Sequence, residues 1–373
     1  MTPLLIDSRF RGIGHYVVSL ARAIDRLSDG EREGLEVRAL VDLDGEVGAL
    51  GWRGYEDVTT MRLVPWLMRR RTLLVAALRR LRPSLFHVTQ PWGTPHGSGV
   101  PRVATCHDLL LHVLHREYLP GRWAYRRFLR AVDAARFHSA RRVIAISEFT
   151  ASTLMSLLRI PATRIDVVPH GVDHDRFRVP SDVAERDAAL AALGIERPYL
   201  LNLGGADVRK SIDTLVLAFG KAALDDIDLL LVGHYSDSEQ ARVDEAVVAA
   251  GAPRGVRRLG FVPEDAVPAL LSGALALVFP SLGEGFGLPI LEAMASGCPV
   301  VTTAETALAE IAGDAALFTP ARDVAALAEA MRRMVSDEAL RRDLSRAGVA
   351  RAAGYSWEET ARRTLASYRR ALR

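Results

Sequence analysis

The chain has 373 residues, 49% hydrophobic and 25% charged, with a net charge of +3; this excludes disordered, collagen-like and disulfide-built proteins and suits two domains. No apolar run reaches the about 18 residues of a spanning helix, the start MTPLLIDSRF turns charged too soon for a signal peptide, and Cys106 and Cys298 form no CxxC. A cytoplasmic chain with reduced thiols is therefore expected. Charge is uneven: residues 1–180 hold 27 basic and 18 acidic residues, residues 181–373 hold 21 and 27. The first half should attract anions, and the second must bind them by local devices. Lys210 and Lys221 are the only lysines.

In chain order, strands are expected at Leu4–Asp7, Val37–Val41, Leu85–Thr89, Val103–Cys106, Arg142–Ile146 and Ile165–Val168. Helices are expected at His15–Leu27, Leu73–Leu81, Arg122–Ser139 and Glu148–Leu158. The stretch PHGVDHDRFRVPSD, 169–182, reads as a linker. A second series follows, with strands at Tyr199–Leu203, Asp228–Val232, Val256–Leu259, Leu275–Phe279 and Pro299–Thr303. Its helices are Ser211–Leu224, Asp237–Ala250, Leu288–Ala295 and Val324–Val335, and Trp357–Leu372 closes the chain. This alternation predicts an α/β protein of two doubly wound, Rossmann-like domains with parallel sheets and a ligand cleft at their strand ends.

The richest segment is SLGEGFGLPILEAMASGCPVV, 281–301. A buried strand ends at Pro280, and Gly283, Gly285 and Gly287 lead into a helix whose free N–H groups and dipole suit phosphate. Glu284 can reach a sugar hydroxyl from the loop; Glu292, one turn into the helix, can accept from ribose hydroxyls. Arg209 and Lys210 follow a Gly-Gly turn at Gly204 and precede a helix, and their charges suit a diphosphate. Arg11-Gly12-Ile13-Gly14 opens the first helix; alone it fits a dinucleotide loop lacking its third glycine, or a plain tight turn. His107 and Asp108 end the strand VATCHD, where open sheets line ligand crevices. Cys106 beside them reads as a small buried filler. The spaced acids at Asp42/Asp44, Asp173/Asp175 and Asp226/Asp228 read as turns or linker, and no essential metal or cofactor is expected.

Residues 281–301 resemble the E-x7-E signature of retaining family 4 glycosyltransferases of the GT-B fold. The resemblance runs through GGADVRKSIDTLVLAF (204–219), LGFVPEDAVPALLSGALALVFPS (259–281), ISEFTASTL (146–154), VVPHGVD (167–173), RGIGHYVVSLARAI (11–24) and ATCHDLL (104–110), the last like bacterial mannosyl- and rhamnosyltransferases. It implies an N-terminal acceptor domain over 1–175, completed by helix 357–373, and a nucleotide-sugar domain over 176–356. It implies His107 at the transferred sugar, with His107, Asp108, Glu284 and Lys210 as the catalytic residues and donor contacts at Gly12, Gly14, Gly204, Arg209, Lys210, Val262, Gly285, Phe286, Gly287, Leu288 and Glu292. The family often has an arginine where this chain has Gly205.

The expected activity is retaining transfer of a hexose, mannose from GDP-mannose as first choice, to a glycan, lipid-linked or small acceptor. A UDP- or dTDP-sugar donor is the alternative, and an epimerase on the same fold is the rival reaction. The stretches 62–83 and 122–142 mix arginine with aromatic residues, which fits an anionic membrane, an anionic acceptor, or a solvated arginine face. Contact with the inner face of the cytoplasmic membrane is thus an expectation, and nucleic acid is not an expected partner.

Overall fold

A computed structural model describes residues 11–37, 39–41, 55–57, 75, 78–89, 98–251 and 253–373. The chain divides into two compact units: Met1–Leu109, Arg122–Gly171 and Ser356–Arg373 form one, and Leu110–Gly121 with Val172–Tyr355 form the other. The sequence boundary at 175/176 thus moves to Gly171/Val172. Segment 110–121 joins the second unit, where Tyr118 hydrogen-bonds Asp207.

In the first unit, β1 (Ala39–Val41) pairs with β2 (Tyr55–Asp57), and β3 (Phe86–Val88), β4 (Arg102–Cys106), β5 (Arg142–Ala145) and β6 (Ile165–Val167) form a parallel sheet in that order. Strand side chains alternate between faces. Val103 and Ile144 pack with Tyr16, Leu20 and Ile24 of helix Arg11–Arg26 and with Trp357, Leu365 and Tyr368 of helix Trp357–Leu372. Ala104, Val143 and Ala145 pack with Phe137, Leu154 and Leu158 instead. Both faces are covered, which is why these strands read as apolar runs. Ser356 caps the last helix by accepting the Glu359 N–H at 3.1 Å.

One expectation here is corrected. Gly12 and Gly14 do not form a loop before the first helix; they lie in the first turn of Arg11–Arg26. Among the described residues, a Cβ at either would meet nothing within 4 Å. The strand expected at Leu4–Asp7, part of the helix expected at Leu73–Leu81, most of the stretch 62–83 and the pair Asp42/Asp44 lie outside the described residues.

The second unit carries β7 (Tyr199–Leu203), β8 (Asp228–Val232), β9 (Val256–Gly260), β10 (Ala276–Phe279), β11 (Val300–Thr303) and β12 (Leu317–Thr319). They form one parallel sheet in the order β12-β11-β10-β7-β8-β9. The winding direction reverses between β7 and β10, and the crevice outside the carboxyl ends there is where such sheets bind ligands. Helices Ile212–Ala222, Asp237–Ala249 and Val324–Ser336 cover one face, with Leu215, Phe219, Val243, Leu327 and Met331 against Leu229, Leu231, Val278 and Val301.

The sequence reading passed over β12 and the helices Val183–Ala192, Val267–Gly273, Ala307–Ala312 and Glu338–Ala352. The linker read at 169–182 contains the boundary between the units, and within it His170, Val172 and Phe177 are buried. Among the described residues, no helix is long and apolar enough to cross a membrane.

Candidate active site

Because all six strands of the second unit are parallel, the segments leaving their C-terminal ends share one edge. Gly204 follows β7, Val262 follows β9, and Ser281–Leu288 follows β10, so the expected donor residues of this unit gather at that edge. The turn after β7 needs its glycines: Gly204 has φ +126°, and a Cβ on Gly205 would stand 2.8 Å from the His234 carbonyl oxygen. A short 3-10 turn, Val208–Lys210, then presents the two cations, with Asp207 accepting the Arg209 N–H at 3.0 Å.

Lys210 Nζ donates to Glu284 Oε1 at 2.6 Å, and Arg209 Nη1 pairs with Glu284 Oε2. One carboxylate therefore contacts both expected diphosphate ligands, across 74 residues of sequence for the lysine, and leaves the cluster of Lys210, Arg209 and Glu284 net positive. The loops are tied by backbone too: the Leu282 N–H donates to the Arg209 carbonyl at 2.7 Å, and Ser281 Oγ–H donates to it at 3.1 Å. Glu284 is fixed from the other side, where its N–H donates to Thr306 Oγ1 at 2.8 Å. Thr306 has φ +58°, a strained conformation for a β-branched residue. Lys210 Nζ lies 4.2 Å from the Phe279 ring centroid, a cation–π contact.

Burial opposes every charge in this cluster, and the charges answer one another. Burial raises the Glu284 pKa, but Lys210 and Arg209 more than offset it, so the carboxyl lies below its ordinary value. Burial alone would lower Arg209, yet Glu284, Tyr118 and Asp207 hold it above its usual value. For Lys210, burial outweighs Glu284 and the pKa is lowered.

Beyond the loop, Gly287 (φ +109°) opens the helix Leu288–Ala295, whose start has no side-chain cap and carries Pro289, a residue without an N–H. Gly285, Phe286 and Gly287 are buried, and the Phe286 ring meets Tyr355 edge-on at 6.1 Å. Glu292 behaves unlike Glu284. Burial pushes its pKa up to about 7, with Arg176 opposing and Glu264 adding to the rise. Its carboxyl is thus half-ionised near neutrality.

His107 and Asp108 belong to the first unit, as do Gly12 and Gly14. His107 follows β4 and donates from Nε2–H to the Thr89 carbonyl at 2.9 Å; a carbonyl only accepts, so in the neutral ring Nδ1 carries the lone pair. Burial lowers its pKa to about 4, so the imidazole is neutral at pH 7. The Tyr16 ring packs edge-on against it at 4.9 Å, and Tyr16 Oη is 3.1 Å from Thr105 Oγ1. Asp108 is exposed. Cys106 is fully buried with its thiol pKa pushed up, as suits packing and not nucleophilic attack.

Residues 10–176 match the description "Glycosyltransferase Family 4" and residues 186–351 match "Glycosyl transferases group 1". The O-antigen chain mannosyltransferase B of Escherichia coli is 31% identical over 330 residues, covering 83% of each chain. The chain belongs to the family 4, group 1 glycosyltransferases. The MMP alpha-(1->4)-mannosyltransferase of Mycolicibacterium hassiacum is 28% identical over 90% of this chain and 80% of its own length. Sucrose-phosphate synthase from Thermosynechococcus elongatus superposes with a TM-score of 0.77 at 24% identity, over 96% of this chain and 93% of that one. This glycosyltransferase thus has the GT-B fold of two Rossmann-like domains, and it uses a nucleotide-sugar donor.

Several residues at the glycosyltransferase's charged edge escaped sequence reading. Tyr118, Asp207, Ser281 and Thr306 support Arg209 and Glu284, and Arg176 sets the charge felt by Glu292. Asp207 alone left a trace, as an N-cap type directly before the basic pair. Among the described residues, no cluster of three His, Cys, Asp or Glu side chains is arranged to hold a metal.

Proposed function

We propose that the protein is a retaining hexosyltransferase that moves mannose from GDP-mannose to a glycan acceptor. The observation that carries this reading is the Lys210–Glu284–Arg209 cluster at the strand-order switch of the second unit. Two cations at the end of a Gly-Gly turn fit a diphosphate, and they stabilise the charge that grows on it as the sugar departs. Glu292 accepts from ribose hydroxyls, main-chain groups near Val262 hold the base, and Gly285–Leu288 supply amides to phosphate and sugar. Once the diphosphate takes Lys210 and Arg209, Glu284 turns to the hydroxyls of the sugar. His107, neutral and fixed by Thr89, has Nδ1 available as an acceptor for a hydroxyl of the transferred sugar, and the family resemblance gives Asp108 a catalytic role and Gly12 and Gly14 donor contacts. The acceptor hydroxyl attacks the face the diphosphate leaves, and the leaving phosphate takes its proton. No metal is required, because Lys210, Arg209 and the helix start at Leu288 neutralise the leaving group.

Mannose as the sugar rests on the two relatives named as mannosyltransferases. The test offers GDP-mannose, UDP-glucose and dTDP-rhamnose separately with a mannoside acceptor and reads the anomeric coupling of the product by NMR. GDP-mannose should support transfer with an α product. Transfer from a UDP- or dTDP-sugar alone would replace the donor, a β product from GDP-mannose would overturn retention, and an isomerised donor without acceptor would make the protein an epimerase.

A further inference from the structure

Helix Trp123–His138 of the first unit, sequence WAYRRFLRAVDAARFH, turns its apolar side chains out. Tyr125, Phe128 and Val132 are 47%, 61% and 44% exposed, and Trp123 at the first turn is 69% exposed. The spacing i, i+3, i+7 puts Tyr125, Phe128 and Val132 on one stripe. The Tyr125 and Phe128 rings stack at 6.4 Å between centroids. Exposed Ala124, Ala131 and Ala135 widen the stripe, while Phe137 and Arg136 face inward and are buried. An amphipathic helix docked on a sheet normally has the reverse arrangement.

The charges on this helix are as unusual as its apolar residues. Exposed Arg122, Arg127 and Arg130 border the stripe, and none has an acidic partner among the described residues. The helix's one acid, Asp133, is half-buried and pairs with Arg136 at 3.4 Å. On helix Trp357–Leu372 of the same unit exposed arginines are instead paired: Arg362 meets Glu31 at 2.9 Å, Arg363 meets Glu359 at 2.8 Å, and Arg370 meets Asp166 at 2.9 Å.

We infer that this helix face is a docking surface for an anionic lipid bilayer. The aromatic and valine side chains enter the headgroup boundary, and Arg122, Arg127 and Arg130 pair with lipid phosphates at its rim. The complementarity is of sign: an acidic protein partner would leave the large apolar stripe to be matched, whereas an anionic bilayer supplies both a negative rim and an apolar interior. The inference extends the reading of the chain as a transferase acting on a glycan acceptor, by placing the enzyme where lipid-linked acceptors reside. Its test does not depend on that reading, because it measures binding and not transfer.

The experiment is flotation of the full chain with phosphatidylcholine vesicles, with and without phosphatidylglycerol, at low and high salt. Wild-type protein should float only with the anionic vesicles, and less at high salt. Arg127→Gln with Arg130→Gln should weaken the partition about 30-fold, at about fivefold for each arginine. Tyr125→Ser with Phe128→Ser should abolish flotation at every salt concentration. Both double variants should melt as wild type does, since these side chains stand in solvent. Absence of flotation by wild-type protein, or equal flotation by all three proteins, would overturn the inference. A wild-type dimer that dissociates in the Tyr125→Ser, Phe128→Ser variant would overturn it too, by assigning the face to a second copy of the chain.

Discussion

Replacing Glu284 with glutamine should weaken the fold and yet tighten the grip on a nucleoside diphosphate. In the ligand-free site the Glu284 carboxylate holds Lys210 at 2.6 Å and also pairs with Arg209. Its side chain is only 12% exposed, so water screens the cluster poorly. Removing one partner of a buried ion pair costs about 3–5 kcal/mol. Taking the low end for this partly open site, and roughly 2–4 °C per kcal/mol for a domain of this size, the ligand-free variant should melt about 6–12 °C below wild type. A diphosphate restores the missing negative charge to the same cations, and in the variant it no longer competes with Glu284. Recovery of about 1.4 kcal/mol of the lost stability corresponds to tenfold tighter binding. Thermal melts with and without nucleotide, paired with calorimetric titration, read both quantities, while transfer to acceptor should fall by orders of magnitude. If Glu284→Gln melted like wild type and bound the nucleotide no more tightly, Glu284 would not be the resident counter-charge and the account of the site would fail.

Other consequences follow from the same geometry. Glu292 must be ionised to accept two ribose hydroxyls, and its pKa is raised to about 7; nucleotide affinity should therefore fall about tenfold per pH unit below 7, and Glu292→Gln should flatten that dependence when titrated calorimetrically. Burial depresses the pKa values of His87, His107 and His170, to about 4 for His107. Their stabilising share is full above the unfolded histidine value of about 6.5 and is lost as pH falls toward the folded values, at about 1.4 kcal/mol per pH unit for each; denaturant melts between pH 7 and 5 should show this slope, reduced in His87→Gln. Tyr118→Phe removes the hydroxyl that bonds Asp207, the cap of the Arg209 turn. It should raise KM for the donor several-fold with little change in kcat, and an unchanged KM would deny Tyr118 a positioning role.

The sequence exposed this fold where local pattern and tertiary context agree. Tyr199–Leu203 and Asp228–Val232 are buried on both faces and read directly as apolar runs, and Glu148–Leu158 carries its own cap in Ser147. Leu317–Thr319 was missed because three residues of edge strand leave too short a pattern, and Val267–Gly273 because Pro268 in its first turn reads as a breaker. Glu338–Ala352 has only Leu340, Leu344 and Val349 as large apolar residues, among arginines and alanines, so its periodicity is faint. The segment 169–182 has the composition of a spacer, but burial of Phe177 and Val172 is set by partners distant in the chain. At the site, Lys210 and Glu284 were legible because each sits in a Gly-rich strand-to-helix turn. Their direct contact was not, since only the adjacency of β7 and β10 in the sheet brings residues 74 positions apart together. Tyr118 had no local signal at all, because its hydrogen-bond partner Asp207 is 89 positions away.

The central claim is that the second unit holds a nucleoside diphosphate on Lys210 and Arg209. Calorimetric titration of the full chain with GDP, UDP, dTDP, ADP and NAD tests it most directly, repeated on Lys210→Ala. The account predicts selective binding of one sugar-donor nucleoside diphosphate, GDP first, weakened at least tenfold in the variant by loss of a charge-assisted hydrogen bond worth about 1.5–3 kcal/mol. Binding of none of the diphosphates, or binding that Lys210→Ala leaves unchanged, would contradict it.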